Sequence, residues 1–360
     1  MADYPQNIES KITGGNNEMS SNVRRKPGIP YVYIIKKTIT FIVVLFSALT
    51  VNFILPRLLP GNPAEVVYST LVREGATSIS PAYLHQLEVE YGISNAPILV
   101  QYFHYLVALF HGNLGVSLSY FPEPVSSILL TALPWTLYLV VTATVISFFM
   151  GNRLGRYAGL NRNARKDVII DITTLFFQSF PAFVLGFILL LIFSVELPLF
   201  PIGEAYGRSV TPGLNFPFIV SVIYHSILPL LTIILTSLGG WVIGLRNNII
   251  PSLNSDFIKF SRSLGFRKSQ INRIAYRNAL LPNLTGFAMS LGFSVTGVLL
   301  EEEIFSYPGI GLYMITAIDS LDYPLIQGIF LLVIIAVLVA NFIVDILYGI
   351  LDPRIRQEVG

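Results

Sequence analysis

Leu325 to Ile350 reads LIQGIFLLVIIAVLVANFIVDILYGI, an apolar block with a single ionisable side chain, Asp345. A helix of about 20 predominantly apolar residues crosses the hydrocarbon of a bilayer, whereas water is a poor solvent for such a block. Five more segments share this character, at roughly 38–58, 130–152, 168–195, 219–245 and 283–300. Composition agrees: of 360 residues, 53% are hydrophobic and 12% charged, where a soluble domain carries about 25% charged residues. The mean hydropathy is +0.66. These features predict an all-α integral membrane protein with about six transmembrane helices. Interior prolines such as Pro181 and Pro229 do not disqualify their segments, because neighbours in a bundle satisfy the freed backbone groups. His225 and the approach through Pro212 and Pro217 leave the outer end of the fourth span open, as outer loop or re-entrant element.

Orientation follows from the basic residues. With the N-terminus inside, 20 of the 23 Lys and Arg fall on the inner side, and only Arg57, Arg73 and Arg208 fall outside. Translocation of Lys and Arg is disfavoured, so this bias places both ends in the cytoplasm. The acidic residues lean outward, Glu301 to Glu303 and Asp322 among them. Residues 1–30 are polar, with Arg24, Arg25 and Lys26, and lack the short apolar core and cleavage site of a secretory signal. They are expected to be a flexible cytoplasmic tail before a six-span domain at 31–356, with 357–360 as a short C-terminal tail.

Two loops carry information. The outer loop, 61–129, contains amphipathic stretches at Tyr83–Tyr91 and Gln101–Phe110; in the second, Tyr102, Tyr105, Leu106 and Leu109 share one helical face. That face suits a helix lying on the membrane surface or on the bundle, with a docking surface for an outside partner as the alternative. In the inner loop, 246–282, Asn254-Ser255-Asp256 offers helix N-caps, a helical stretch Phe257–Phe266 follows, and Gly265 suits a C-cap. Phe257, Phe260, Leu264 and Phe266 stay apolar among spaced charges. Four large apolar residues facing water fit a helix that inserts into a groove on a partner. The competing reading is a basic helix on anionic lipid.

Several chemistries find no residues to carry them. The chain has no cysteine, which excludes disulfides and thiol catalysis. It has no GxxxxGK[ST] phosphate loop, no HExxH and no GxSxG elbow. His85, His104, His111 and His225 do not have metal-motif spacing. Asp171 and Asp345 lie near inner helix ends, where solvation or pairing accounts for them better than a mid-membrane ion relay. Any energy for transport is therefore expected from another subunit. Gly151, Gly155 and Gly159 have the spacing of close helix contact, or equally of an inner loop beginning at the end of a span.

From about residue 30 onward the chain resembles the permease subunits of binding-protein-dependent ABC importers, of the dipeptide/oligopeptide permease B type. The matching pieces run in order: Arg57 to Ala64, Gly112-Asn113-Leu114-Gly115, Leu133 to Leu137, Ser179 to Phe183, Ser263-Leu264-Gly265, Arg277 to Pro282, Glu302 to Gly311, Asp322-Tyr323-Pro324 and Asp352 to Arg356. The resemblance implies the permease fold of type I ABC importers in the plasma membrane. It also implies a second permease subunit, two cytoplasmic ATP-binding subunits and an external solute-binding protein. ATP would be bound by those partners, with no cofactor in this chain. The 256–282 loop would couple to the ATPase, through Asp256, Phe257, Lys259, Phe260, Arg262, Ser263, Leu264, Gly265 and Phe266. The family's Glu-Ala-Ala is replaced here by Lys259, Phe260 and Ser261, so no salt bridge from that glutamate carries over. Peptides are the family's usual substrates; related permeases carry oligosaccharides or nickel.

Overall fold

The structure is a computed structural model that describes residues 31–58, 97–162, 164–293 and 298–351. The N-terminal tail, the first half of the outer loop with its Tyr83–Tyr91 stretch, and the Asp352–Arg356 motif lie outside the described residues. Helix α1, Tyr31–Ile54, ends in a tighter turn, Leu55–Leu58. The short α2, Ile98–Phe110, precedes α3, Val125–Leu160. Next come α4, Arg165–Gln178, and α5, Ala182–Leu190, which widens into a π-wound turn, Leu191–Glu196. Helix α6, Phe216–Asn254, leads into α7, Asp256–Ser263, and α8, Lys268–Phe293. Two short helices, α9, Leu299–Ile304, and α10, Ile310–Asp319, precede α11, Tyr323–Leu351.

Among the described residues, α1, α3 and α6 are each long and apolar enough to cross a bilayer; α4 and α5 reach that length only together and meet at 92°, as one broken span or a re-entrant element. The remaining two expected spans overlap α8, which begins with basic turns carrying Lys268, Arg273 and Arg277, and α11; the first of them, 283–300, runs past Phe293 into residues 294–297, outside the described residues. The third span is thus not straight. Pro181 has no N–H and its ring crowds the preceding turn, so the chain stops at Gln178 and restarts at Ala182. Pro229, by contrast, sits inside an unbroken α6, buried against its neighbours. The outer end of α6 is also settled. Asn215 accepts from the Phe218 N–H at 2.9 Å and Pro217 lies in the first turn, a start signal of cap plus proline. His225 is therefore helical.

Helices α3 and α6 form the spine. At about 1.5 Å per residue they run to roughly 54 and 58 Å, well past a hydrocarbon layer of about 30 Å. Their inner halves touch through the glycine series. A Cβ at Gly155 would lie 2.5 Å from the Val242 carbonyl, one at Gly159 3.0 Å from Ile249, and one at Gly151 would collide with Trp241. The glycine spacing therefore serves close helix contact. Outward, Ile169, Ile172, Phe176, Phe187, Ile219 and Ile223 remain exposed, as expected where lipid is the solvent and not where water is.

At the outer end, Val125, Leu129 and Ala132 of α3 pack with Ile310 and Met314 of α10 and Leu325, Ile326 and Ile329 of α11. Asp322 is buried and accepts from the Ser117 hydroxyl, from the Ser119 N–H at 2.9 Å and from the Leu325 N–H at 3.1 Å. It caps α11 and pins the outer loop to it. Glu301 and Glu302 are buried rather than solvated, and Glu302 accepts from the Gly311 N–H at the start of α10. Tyr102 and Tyr105 turn α2 onto α1, bonding Thr50 at 2.7 Å and Asn52 at 3.0 Å, while Phe103 and Phe110 stay exposed. The helix thus rests on the bundle.

Candidate functional site

Most of the 246–282 segment is helical. Helix α6 continues to Asn254, so only Ser255 and residues 264–267 connect α6, α7 and α8. Ser255 takes the extended N-cap conformation (φ −68°, ψ 154°), but its hydroxyl donates back to the Ser252 carbonyl at 2.6 Å and leaves α7 without a side-chain cap. Asp256 stands in the first turn of α7, where a carboxylate complements the helix dipole, and accepts from Lys259 at 2.9 Å.

The far end is closed by the hydrogen bonds of a Schellman motif. The Gly265 N–H reaches the Arg262 carbonyl at 3.0 Å and the Phe266 N–H reaches Ser261 at 3.2 Å. Gly265 has φ +81°, the left-handed conformation this motif needs. The expected C-cap is therefore present. One capping residue escaped the sequence reading: Gln270 accepts from the Arg267 N–H at 2.8 Å, half of a capping box that starts α8.

These turns give α7 two faces. Ile258 is fully buried and packs with Ile271 and Ala275 of α8, beside Leu253 and Ile274. The Ser252 hydroxyl adds a bond to the Ala275 carbonyl at 3.2 Å. The opposite side carries Phe257, Phe260, Leu264 and Phe266, all exposed, with Lys259, Arg262, Ser263 and Arg267 around them. All nine expected site residues thus fall on one short helix and its cap, fixed to the bundle through Ile258.

Near the same end, Arg246 of α6 donates to Asp167 at 2.8 and 3.2 Å and pairs with Asp171 at 3.2 Å, both on α4. Asp171 is therefore paired, though near the middle of α4 and not at its end; the Asp345 side chain lies outside the described residues. Two of the histidines have local roles: His111 and His225 bond the carbonyls of Val107 and Ser221, each at 2.8 Å, while His104 is exposed on α2.

A membrane bundle thus carries a short helix with an exposed apolar face, packed against α8 through Ile258. Residues 151–357 match the family described as binding-protein-dependent transport system inner membrane component, and the chain belongs to that family. Within it, the likeness to the dipeptide/oligopeptide permease B type extends along nearly the whole chain. The chain is 31% identical over 326 residues to the oligopeptide transport system permease protein AppB of Bacillus subtilis, covering 90% of this chain and 99% of that one. It is 33% identical over 327 residues to the di/tripeptide transport system permease protein DppB of Pseudomonas aeruginosa, covering 87% and 95%. With the oligopeptide transport system permease protein OppB of Haemophilus influenzae it shares 30% over 327 residues, covering 90% and 99%.

Proposed function

We propose that this chain forms half of the translocation pathway of an ATP-driven importer for peptides, and that α7 is the helix by which a cytoplasmic ATPase moves it. The relatives named for oligopeptides and di/tripeptides favour peptides over oligosaccharides or nickel. A second permease subunit completes the pathway, a solute-binding protein delivers substrate outside, and two ATP-binding subunits hold the nucleotide. This chain then needs no cofactor and catalyses no reaction of its own. It lies in the plasma membrane with both ends in the cytoplasm.

The observation that carries the reading is the division of α7 between a buried attachment and an exposed apolar face. Burying a large apolar side chain contributes about 1.5–3 kcal/mol. Four of them in a protein groove supply enough to hold a partner through a stroke, after the costs of ordering. Eight residues span only about 12 Å, a small footprint for a helix held on lipid by its buried apolar area. ATP binding would close the ATPase subunits, shift α7 as a rigid body and open the pathway outward.

Gly265→Asp tests the assignment. Aspartate tolerates the left-handed conformation better than most residues, so the helix stop survives while a charge enters the apolar face. The variant is expected to insert and assemble, to hydrolyse ATP and to lose uptake in vesicles reconstituted with all subunits. Normal uptake would overturn the assignment, as would ion-driven peptide transport by the purified chain alone.

A further inference from the structure

Asn283 lies on α8 one residue beyond Pro282, and only 7% of it is exposed. Its Nδ2 donates to Asn152 Oδ1 on α3 at 2.9 Å and to the Trp241 carbonyl on α6 at 3.2 Å. Its Oδ1 accepts from Asn248 Nδ2, also on α6, at 3.4 Å. Asn152 is itself held in place, because its Nδ2 donates to the Phe148 carbonyl at 2.8 Å. One amide therefore ties three helices together. Among helices in lipid, hydrogen bonds of this kind are specific points of attachment.

The surroundings divide α8 at that point. Toward α7, its inner limb is attached through Ile271 and Ala275 to Ile258, and through Ala279 to Leu245 and Ile249. On the other side, Phe287 packs at a tilt on Phe148 with ring centroids 4.3 Å apart, and Trp241 meets Phe148 edge-on at 5.3 Å. Pro282 removes a helical hydrogen bond at the junction, where an α-helix bends most readily. Beside the junction a cavity of about 330 Å³ opens between α6 and α8, lined by Ser237, Gly240, Trp241, Pro282, Asn283 and Gly286.

We propose that Asn283 is the fulcrum of α8: when α7 is displaced, the inner limb swings about this amide and the outer limb changes the width of the α6–α8 cavity. Asn283 is then a positioning residue for transport, acting through α8 and not on substrate. The inference rests on the reading of α7 as the ATPase-coupling helix. Side-chain amides suit this role because they hold a point while the helices on either side rotate, whereas interlocked apolar packing resists rotation along its whole length.

The experiment uses the complete transporter in proteoliposomes. The chain has no cysteine, so Gly240→Cys with Gly286→Cys reports the cavity alone within it. Both sites accept a side chain: a Cβ at 240 meets nothing within 4 Å, and one at 286 meets only Trp241 at 3.7 Å. Bridging of the pair by a bifunctional thiol reagent is expected to change rate about fivefold or more between nucleotide-free and ATP-trapped states. With Asn283→Leu added, that dependence should vanish while the ATPase still co-purifies and hydrolyses ATP, and uptake per ATP should fall about tenfold or more. Asn152→Ala, which removes only the acceptor on α3, should weaken the dependence partially and serves if Asn283→Leu does not accumulate.

Unchanged nucleotide dependence in both variants would overturn the fulcrum. So would a loss of hydrolysis and uptake in proportion to a fall in melting temperature, which marks a merely structural role. A parent chain that retains no ATPase would instead overturn the coupling reading on which the inference rests.

Discussion

A methyl group at Gly155 would sit 2.5 Å from the carbonyl oxygen of Val242, and that oxygen belongs to a backbone that cannot swing aside. Glycine to alanine inside a helix ordinarily gains about 1 kcal/mol, but overpacking costs about 1–3 kcal/mol, and against backbone the larger figure governs. Gly155→Ala should therefore lower the melting temperature in detergent, whereas Gly240→Ala, with open space at its Cβ, should not. Equal melting of the two would refute the close α3–α6 contact. Arg246 makes a second residue-scale case, since Asp167 is 1% exposed and depends on it. Arg246→Ala removes the forked partner of that buried carboxylate, at a cost of about 3 kcal/mol. Arg246→Lys should recover part of it, because an ammonium cannot reproduce the forked contact. A thermal melt series on the three proteins checks the order.

At the scale of elements, α7 separates attachment from presentation. Ile258→Ser removes the buried anchor and should cost about 2–4 kcal/mol, seen as a lower melting temperature of the isolated chain. Phe260→Ser, on the exposed face, should leave melting within about 0.5 kcal/mol of the parent. It should nevertheless weaken retention of the ATPase on co-purification roughly tenfold or more. The reverse pattern would mean that the apolar face packs within the chain. The four exposed apolar residues and the glycine stop were legible in sequence, because both depend on local chemistry. The shape of their setting was not. Apolar periodicity cannot register that α6 runs on to Asn254, or that Pro181 bends the third span by 92° while Pro229 leaves α6 unbroken, since each outcome depends on what packs against the proline.

For the whole molecule, the proposed orientation rests on charge counting. If the N-terminus is inside, 20 of 23 Lys and Arg fall on the inner side, and Ser263→Cys should react with a membrane-impermeant maleimide in inside-out vesicles and stay unlabelled in right-side-out ones. Labelling from the outer side would invert the topology and remove α7 from any ATPase. Ser263 is exposed at the end of α7, so a failure to react could not be ascribed to burial in this chain.

The sequence by itself determined that this chain is solvated by lipid and that a short helix would carry an exposed apolar surface, and its Lys and Arg distribution is the basis for the proposed orientation. Those properties are sums over many residues or patterns within one turn, so they survive without three-dimensional context. Only the tertiary structure decided what Gly155, Asp167, Glu302 and Asn283 do. Gly155 admits a second helix, Asp167 of α4 holds Arg246 of α6, Glu302 caps a neighbouring helix, and Asn283 joins three helices. Three of these roles belong to pairs of residues at least 79 apart along the chain, and the fourth, Glu302 with Gly311, spans a break between two helices. Whether such a pair meets is settled by helix packing, which leaves no mark on either residue alone.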